Sequence, residues 1–460
     1  MQTEESTLSS SLAPILGGSF MYFKFGVDSF IWAENFSEKD LWVISKAKEL
    51  GFEVIDFAIA NPFTFPLEQV KAELDRVGID CVCTTTLTAE TNPISPDAEI
   101  RQKAVEAMKK CVDICNYLNA PILGGVNYAG WGYLTKKPRT EQEWNWGVEN
   151  MRQVAEYAKA TGNVTICVEC VNRFETHFLN IAEDAVKFCK DVGTGNMKVH
   201  LDCFHMIREE KSFSQAVYTC GKEYLGYIHV NENDRGIPGT GLVPFKEFFE
   251  AVAKVGYDGP LVIESFDPSF TELAGNCAIW RQFAKTGEEL AVKGLANLKA
   301  IAATIPDGPM KIAIGCDEAA YQLKVVIMEH LKKRDDVVFT DFGADAGEVI
   351  LYPDVAQKVA EAVAKGEYDR GILVCGTGIG MAISANKVPG IRAAVCHDPF
   401  STERSRKSNN SQIMCMGERV VGPELAKYLV DIWLKCDFAG GGSTPKVERI
   451  MEVEQSYFNK

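Results

Sequence analysis

The stretch VTICVE (164–169) ends on a glutamate, and three later stretches repeat its pattern: MKVHLD (197–202), GYIHV (226–230) and PLVIE (260–264). Each is a short apolar run that ends on or beside one acidic or imidazole side chain: Glu169, Asp202, His229 and Glu264. Their separations are 33, 27 and 35 residues. A strand, a helix and their loops take about 30 residues in an alternating barrel. The chain therefore returns to the same edge of a sheet at each of these side chains.

Four earlier apolar runs complete a set of eight: FKFGVD (23–28), EVIDFA (53–58), DCVCTTT (80–86) and PILGGV (121–126). Stretches with helical periodicity, such as EIRQKAVEAMKKCVDICNYL (99–118), lie between the runs. Eight strands that alternate with helices predict a (β/α)8 TIM barrel. The runs are continuously apolar, as expected for a parallel sheet covered by helices.

A second alternating pattern follows the segment TIPDGPM (304–310). Its strand-like runs are KIAIGC (311–316), VVFTDFG (337–343), RGILVCG (370–376), IRAAVC (391–396) and QIMCMG (412–417). They predict a small doubly wound, Rossmann-like α/β domain. We therefore expect a barrel over 21–304, a linker over 305–309 and a second domain over 310–460. The Ser-rich, acidic residues 1–20 are interpreted as a disordered leader.

Composition limits the partners. A net charge of −15 argues against a nucleic-acid groove, which needs clustered positive charge. No apolar run approaches the roughly 18 residues that a membrane span requires. The 15 cysteines are scattered without zinc-finger spacing. We expect buried thiols in a reducing cytoplasm.

Three carboxylates and one imidazole at the ends of strands five to eight predict a site for a hard divalent metal. Taken singly, each side chain could merely cap the next helix. A divalent ion can polarise a ketone and acidify the adjacent C–H. Glu169 and Glu264 would then face the reacting carbon from opposite sides, so that proton removal and return invert it. Glu175, His205 and Arg235 are predicted to add polar groups to the same mouth.

Four segments carry a family resemblance: VECVNRFETH (168–177), HLDCFHM (200–206), HVNENDRGIPGTG (229–241) and VIESF (262–266). They resemble the signature segments of the D-tagatose/D-psicose 3-epimerase family, within the xylose-isomerase-like barrels. The resemblance implies Mn2+ or Co2+, with Mg2+ as a third candidate, held by Glu169, Asp202, His229 and Glu264. It implies that Glu169 and Glu264 are the acid/base pair, and that the substrate contacts are Glu175, His205, Arg235 and a stacking Trp131. Plain packing is the alternative for Trp131.

In the second half, GILVCGTGIGMAISANK (371–387) places Cys375 at a strand end before a Gly-rich turn. Backbone amides in this turn can cradle an anion, and an electropositive setting favours the thiolate as a base. A nucleotide-binding loop is the alternative, but the glycine spacing does not fit it.

The segments KIAIGCDEA (311–319), YPDVA (352–356) and SNNSQIMCMGERVVG (408–422) resemble the ribose-5-phosphate isomerase B/galactose-6-phosphate isomerase family. The resemblance implies that Cys375 is the base for proton transfer between C1 and C2. Its implied substrate contacts are Thr377, the amides of Gly376, Gly378 and Gly380, and the side chains of Asp317 and Asn409.

The second half departs from that family at three positions. Glu318 and Ser408 stand where the family usually has histidines, and one of the family's usual C-terminal phosphate arginines is replaced within GGGSTPK, which leaves Lys446. Loss of the ring-opening histidine at Ser408 is compatible with a substrate that forms no ring. This favours the tetrulose-phosphate branch of the family.

The leading hypothesis is a bifunctional carbohydrate isomerase. The barrel would epimerise C3 of a ketose or ketose phosphate, and the second domain would interconvert ketose and aldose phosphates, with D-erythrose 4-phosphate as a candidate product. One alternative is a free-ketose 3-epimerase whose second domain is inactive and serves oligomerisation; the resemblance implies a homo-oligomer, a dimer or a tetramer. Another is a sugar sensor without catalytic activity.

Overall fold

The structure, a computed structural model, describes residues 21–306, 308–334 and 336–458. Two compact units meet in sequence after Ile305, and each has its own buried apolar core. The predicted leader lies outside the described residues. Within the described ranges, no helix is both long and apolar enough to cross a bilayer.

The first unit is a closed barrel of eight parallel strands in sequence order, in which β1 pairs with both β2 and β8. The predicted TIM barrel is therefore confirmed. Its strands are β1 (Phe25–Asp28), β2 (Val54–Ala58), β3 (Asp80–Thr84), β4 (Ile122–Gly124), β5 (Thr165–Glu169), β6 (Met197–Asp202), β7 (Leu225–His229) and β8 (Leu261–Ile263). Its helices are α1 (Trp42–Glu49), α2 (Leu67–Val77), α3 (Ala98–Leu118), α4 (Glu141–Thr161), α5 (Ala182–Val192), α6 (Cys203–Glu209), α7 (Phe213–Tyr224), α8 (Phe245–Lys254), α9 (Thr271–Asn276) and α10 (Gly287–Ala302).

The sequences of the outer helices contain capping residues and apolar side chains at helical spacing, as α4 illustrates. Helix α4 begins with a capping box, in which the Thr140 amide donates to Glu143 Oε2 at 2.6 Å and the Glu143 amide donates to Thr140 Oγ1 at 3.1 Å. Its buried apolar side chains recur at helical spacing: Met151, Val154, Ala155 and Ala158. This face packs on the barrel and leaves the polar face to solvent.

Strand alternation delivers the polar side chains to the mouth of the barrel. Successive side chains point to opposite sides of a strand, so residues two apart share the barrel interior. On β5, β6 and β7 the lower interior residues are buried within the barrel: Cys167, His200 and Tyr227. The upper ones, two residues later, stand at the carboxyl ends of the strands: Glu169, Asp202 and His229.

The second unit is a five-stranded parallel sheet of order β10-β9-β11-β13-β12, which confirms the predicted doubly wound domain. Its strands are β9 (Met310–Cys316), β10 (Val337–Asp341), β11 (Arg370–Cys375), β12 (Ala393–Val395) and β13 (Ile413–Gly417). Its helices are α11 (Tyr321–Leu331), α12 (Tyr352–Ala364), α13 (Ile379–Ala385), α14 (Pro399–Lys407), α15 (Pro423–Lys435) and α16 (Thr444–Phe458).

Gly125, just after β4, lies where two backbone segments approach closely at the barrel mouth. Its φ is +100°, and a Cβ there would lie 2.2 Å from the Thr85 carbonyl oxygen. Its own carbonyl accepts from the Glu169 amide at 3.1 Å, and its amide donates to His200 Nδ1 at 3.3 Å. The close approach of two backbones therefore helps to place Glu169.

We predict that Gly125→Ala destabilises the barrel by about 2 kcal/mol or more beyond Gly78→Ala, because overpacking adds to the positive-φ strain. Gly78 is the matched control, since its φ is +68° and nothing lies within 4 Å of the added Cβ. Thermal unfolding followed by tryptophan fluorescence reports mainly on the barrel, because of the 7 tryptophans only Trp433 lies in the second unit. Equal losses in the two variants would contradict the steric explanation.

Candidate active sites

The four predicted metal ligands converge at the barrel mouth. Asp202, His229 and Glu264 each offer one ligand atom, and these atoms all lie within 4.8 Å of one another. His229 Nδ1 is 3.6 Å from Asp202 Oδ2 and 3.6 Å from Glu264 Oε2. Glu169 satisfies the same criterion with Asp202 and His205, and again with His200 and His229. The four strand ends thus surround one point.

The orientation of His229 leaves one ring nitrogen available for an ion. Its Nε2 is 3.2 Å from Asp56 Oδ2, and Asp56 Oδ2 also accepts the Tyr227 hydroxyl at 2.5 Å. Its Nδ1 is buried and has no hydrogen-bond partner. A carboxylate on one imidazole nitrogen, with the other facing acidic oxygens, is the usual arrangement around a metal-bound histidine.

The spacing of these atoms fits a divalent ion. Two ligand atoms that each lie about 2.1 Å from one ion are separated by roughly 3.0–4.2 Å. The distances of 3.6 Å from His229 Nδ1 to both carboxylates fall within this interval. The donor set of three carboxylates and one imidazole suits a hard or borderline cation.

Electrostatics draw positive charge to the same point. Burial alone would raise the pKa of Asp202, yet Arg235 and His205 hold it well below its usual range. Burial, with the charges of Glu264 and Asp202, raises the pKa of Glu169 well above its usual range. The pKa of His229 is raised despite burial, chiefly by Glu264 and Asp202. Without an ion, protons and the Arg235 guanidinium therefore balance the carboxylates.

Arg235 and its loop are held by two of the predicted ligands and by two residues that the sequence interpretation did not single out, Asn231 and Glu232. Arg235 Nη1 lies 3.2 Å from Asp202 Oδ2 and also pairs with Glu264 Oε2. Asn231 donates from Nδ2 to Asp202 Oδ2 at 2.5 Å, and its Oδ1 accepts from the Glu264 amide at 2.7 Å. Glu232 is buried and accepts from the amides of Gly239 and Val243, each at 3.0 Å. Asn231 and Glu232 lie within the quoted segment HVNENDRGIPGTG, so position in the motif was the available signal.

Two cavities of about 160 and 210 Å³ open above the cluster, and both are lined by Glu169 and Glu264. Trp131, Glu175, His205 and Arg235 line the smaller one. Trp131 Nε1 donates to Glu175 Oε2 at 2.7 Å, while Asn172 Nδ2 lies 2.7 Å from Glu175 Oε1 and 2.9 Å from His205 Nδ1. The structure thus brings the predicted substrate contacts together, and adds Asn172 as the residue that joins them.

In the second unit, Cys375 ends β11 and its sulfur faces the Gly-rich turn. The Gly378 amide donates to Cys375 Sγ at 3.0 Å. Gly378 has a φ of +75°, and a Cβ there would lie 2.9 Å from the Met416 carbonyl carbon. A glycine is therefore required for the amide to reach the thiol. Thr377 and Gly376 lie in the same turn, and Gly380 packs against the Tyr352 ring.

Three further groups surround this turn. Asp317 follows β9, the strand beside β11, and burial raises the pKa of its carboxyl, with the Glu318 charge adding to the effect. His397 Nε2 accepts from the Gly417 amide at 3.0 Å, and burial lowers the pKa of His397. The Arg419 guanidinium carbon lies 3.6 Å from where a Gly376 Cβ would stand. Arg419 was not predicted as a site residue, although it lies two residues beyond the strand that pairs with β11.

Asn409 lies near the amino-terminal ends of the strands, whereas Cys375 lies at their carboxyl-terminal ends. The Asn409 carbonyl accepts from Arg392 Nε at 3.2 Å, just before β12 begins. Along β13, Ile413 pairs with Gly371 and Gly417 pairs with Cys375. Four residue steps of a strand span about 13 Å, so Asn409 and Cys375 lie at opposite ends of these strands. Within one chain the structure does not bring Asn409 to the cysteine as the resemblance implied.

Comparisons with known proteins match each of the two units separately. The family model described as "Xylose isomerase-like TIM barrel" matches residues 44–301, and the one described as "Ribose/Galactose Isomerase" matches residues 312–450. A D-psicose 3-epimerase of Ruminiclostridium cellulolyticum is 34% identical over 58% of this chain and 92% of its own length. A ribose-5-P isomerase B of Listeria innocua is 56% identical over 32% of this chain and 98% of its own. A D-erythrulose-4-phosphate isomerase of Pectobacterium atrosepticum is 55% identical over 31% of this chain and 93% of its own.

The two matches cover consecutive parts of the chain, and each coincides with one compact unit and its site. The protein is therefore an isomerase that belongs to the xylose isomerase-like TIM barrel family over residues 44–301 and to the ribose/galactose isomerase family over residues 312–450, joining a ketose 3-epimerase-like barrel to a sugar-phosphate isomerase-like domain.

Proposed function

We propose that the barrel is a metal-dependent ketose 3-epimerase and that the second domain interconverts a ketose phosphate and an aldose phosphate. The observation that carries the barrel assignment is the buried, unpartnered His229 Nδ1 facing Asp202 and Glu264 beneath a substrate-sized opening. The ion is a divalent cation, with Mn2+ or Co2+ as the first candidates and Mg2+ as the third.

In the barrel, a bound divalent cation would stabilise the enediolate that forms when C3 of the ketose loses its proton. Glu169 and Glu264 come from β5 and the end of β8, which are not neighbouring strands. One carboxylate removes the C3 proton and the other returns a proton to the opposite face, so the carbon is inverted. Glu175 and His205, joined through Asn172, hold the hydroxyls next to the reacting carbon.

In the second domain, Cys375 is the base that moves a proton between C1 and C2 of the open-chain sugar. Asp317 and His397 lie on either side of it and contact hydroxyls, and Arg419 is positioned for the anionic end of the substrate. Ser408 cannot supply ring-opening acid–base chemistry at its position, which favours a four-carbon substrate such as D-erythrulose 4-phosphate. The hydrogen bond from the Gly378 amide to Cys375 Sγ argues against the alternative in which the second domain is inactive.

We also propose that a second copy of the chain completes the Cys375 site. Within its own chain, Asn409 lies at the end of the sheet opposite to Cys375. A role in binding the substrate at Cys375 therefore requires the Asn409 of a neighbouring copy. Exposed apolar side chains flank the Cys375 turn and would be covered by that copy: Val349, Leu351, Ile379 and Ile383.

We expect Mn2+ or Co2+ to raise the unfolding temperature of the chelator-treated protein. An ion at 100 times its dissociation constant stabilises the native state by about 2.7 kcal/mol. Asp202→Asn should lose most of this shift, whereas the exposed Asp258→Asn, at the far end of the barrel, should keep it. Equal shifts in the two variants, measured by tryptophan fluorescence, would mean that the ion binds elsewhere.

The two activities should separate by mutation. Glu264→Gln should lower epimerisation of free ketoses by about 10²–10⁴-fold, the usual contribution of a general acid or base, and leave isomerisation of D-erythrulose 4-phosphate unchanged. Cys375→Ala should do the reverse. Glu272→Gln and Cys436→Ala are the matched controls. The two-site scheme is wrong if either substitution silences both reactions.

The shared site predicts complementation. Cys375→Ala and Asn409→Ala should each abolish isomerisation when alone. A hybrid dimer of the two variants contains one site with both native residues, so it should recover about half of the wild-type isomerase activity per dimer. Co-expression with two affinity tags isolates the hybrid. If the hybrid is as inactive as its parents, the two residues act within one chain or Asn409 has no such role.

A further inference from the structure

The exposed Asn409 is held by a buried arginine of its own chain. Asn409 lies between α14 and β13, and among the hydrogen bonds of the described residues none involves its side-chain amide. Its backbone is fixed instead, because Arg392 donates from Nε to the Asn409 carbonyl at 3.2 Å and to the Asn410 carbonyl at 3.1 Å. The side chain of Asn409 is therefore available to a ligand, while its main chain is not free to turn.

The backbone of Arg392 is bonded to the same loop. Its amide donates to Gln412 Oε1 at 2.9 Å, and its carbonyl accepts from the Ser411 hydroxyl at 2.7 Å. Arg406, on α14, adds a bond from Nη1 to the Ser411 carbonyl at 2.6 Å. Arg392 is therefore bonded to each of the four residues from Asn409 to Gln412.

The loop needs this support because part of its backbone is strained. Asn410 has a φ of +48°, in the left-handed region that residues with a Cβ rarely adopt, although asparagine tolerates it better than most. Without the Arg392 guanidinium, the carbonyls of Asn409 and Asn410 would lose a common donor, and relief of the strain would rotate the adjoining peptide units. Such a rotation would change the direction in which the Asn409 side chain points.

Arg392 also contacts helix α16. Its Nη1 lies 3.0 Å from Met451 Sδ, two turns along that helix. Lys446, the cation that the resemblance leaves for phosphate binding, lies in the first turn of the same helix. Arg392 therefore connects the two segments that carry Asn409 and Lys446.

The position of Arg392 is costly in free energy. The residue is 8% exposed, its Nη2 is buried without a hydrogen-bond partner, and none of the ion pairs of the described residues includes it. Burial lowers the pKa of its guanidinium, although the charge of Glu454 opposes the effect. A buried charge that bonds mainly to carbonyl oxygens stabilises a fold less than an apolar side chain of the same size would. The geometry that Arg392 imposes on the loop explains its place better than stability does.

We infer that Arg392 is a positioning residue for the isomerase reaction of a neighbouring copy: it fixes the backbone of Asn409, so that the Asn409 side chain meets the substrate beside Cys375 of that copy. The inference rests on the proposed function of the second domain and on its completion by a second copy. Loss of Arg392 is then felt in the site to which its chain donates Asn409. The site to which the same chain donates Cys375 is not affected.

The test adds Arg392→Gln to one chain of the full-length hybrid dimer made from Cys375→Ala and Asn409→Ala chains. The single native site of this dimer takes Asn409 from the Cys375→Ala chain. Arg392→Gln in that chain should lower kcat/KM for D-erythrulose 4-phosphate by about 10–100-fold, since a misplacement of about 1 Å can cost this much. The same substitution in the other chain should leave the activity of the hybrid unchanged, because the Asn409 that it would misplace is already alanine.

The two placements carry the same set of substitutions, so a general loss of folding lowers the activity of both hybrids alike. Equal activities in the two placements, whether lowered or not, would overturn the inference and leave the two-copy site intact. An inactive parent hybrid would instead remove the two-copy site, and the inference with it. Arg392→Lys, which keeps the charge but not the planar fork, is the second variant and should show the same difference between placements if the glutamine chain does not assemble.

Discussion

Three carboxylates are buried around one point in the barrel mouth, and their mutual repulsion must be balanced by positive charge. The arrangement of the surrounding side chains follows from that constraint. Asp202, Glu264 and Glu169 each lie within ligand distance of His229 or of one another. Below them, burial raises the pKa of Asp28 well above its usual range, with Asp56 and Glu264 adding to the effect. Protons and one arginine supply positive charge in the ion-free protein, and a bound divalent cation would supply more of it at shorter range.

The same constraint explains the surrounding network. Asn231 contacts both Asp202 and Glu264, so the two carboxylates share one rigid support. Glu232 holds the loop that carries Arg235, because its carboxylate accepts from the amides of Gly239 and Val243. These residues position the ligands and keep them from relaxing apart. The second unit differs, since there a single thiol accepts a hydrogen bond from a backbone amide and a guanidinium lies beside the same turn.

Much of this could be predicted from the sequence, because parallel strands have a strong pattern and a fixed geometry. All thirteen strands were predicted within a few residues, and β6 (Met197–Asp202) coincides with its run. The four side chains that converge at the barrel mouth were singled out from strand ends alone, and their role as metal ligands stays a prediction. For Asn172 and Asn231 the only signal was their position in the quoted motifs, and the contacts they make, like the contact of Asp56 with His229, depend on loop geometry and on distant strands. Asn409 was grouped with Cys375 by resemblance, and only the strand register shows that they lie at opposite ends of the strands.

Anomalous X-ray diffraction from crystals of the Mn2+-loaded protein tests the central claim most directly. The predicted result is one anomalous peak at the barrel mouth, about 2.0–2.3 Å from His229 Nδ1 and from oxygens of Glu169, Asp202 and Glu264. A peak between Asp28, Asp56 and His229 Nε2, the other acidic group around the same histidine, would contradict the ligand assignment. The absence of any peak in the barrel would contradict the metal site itself.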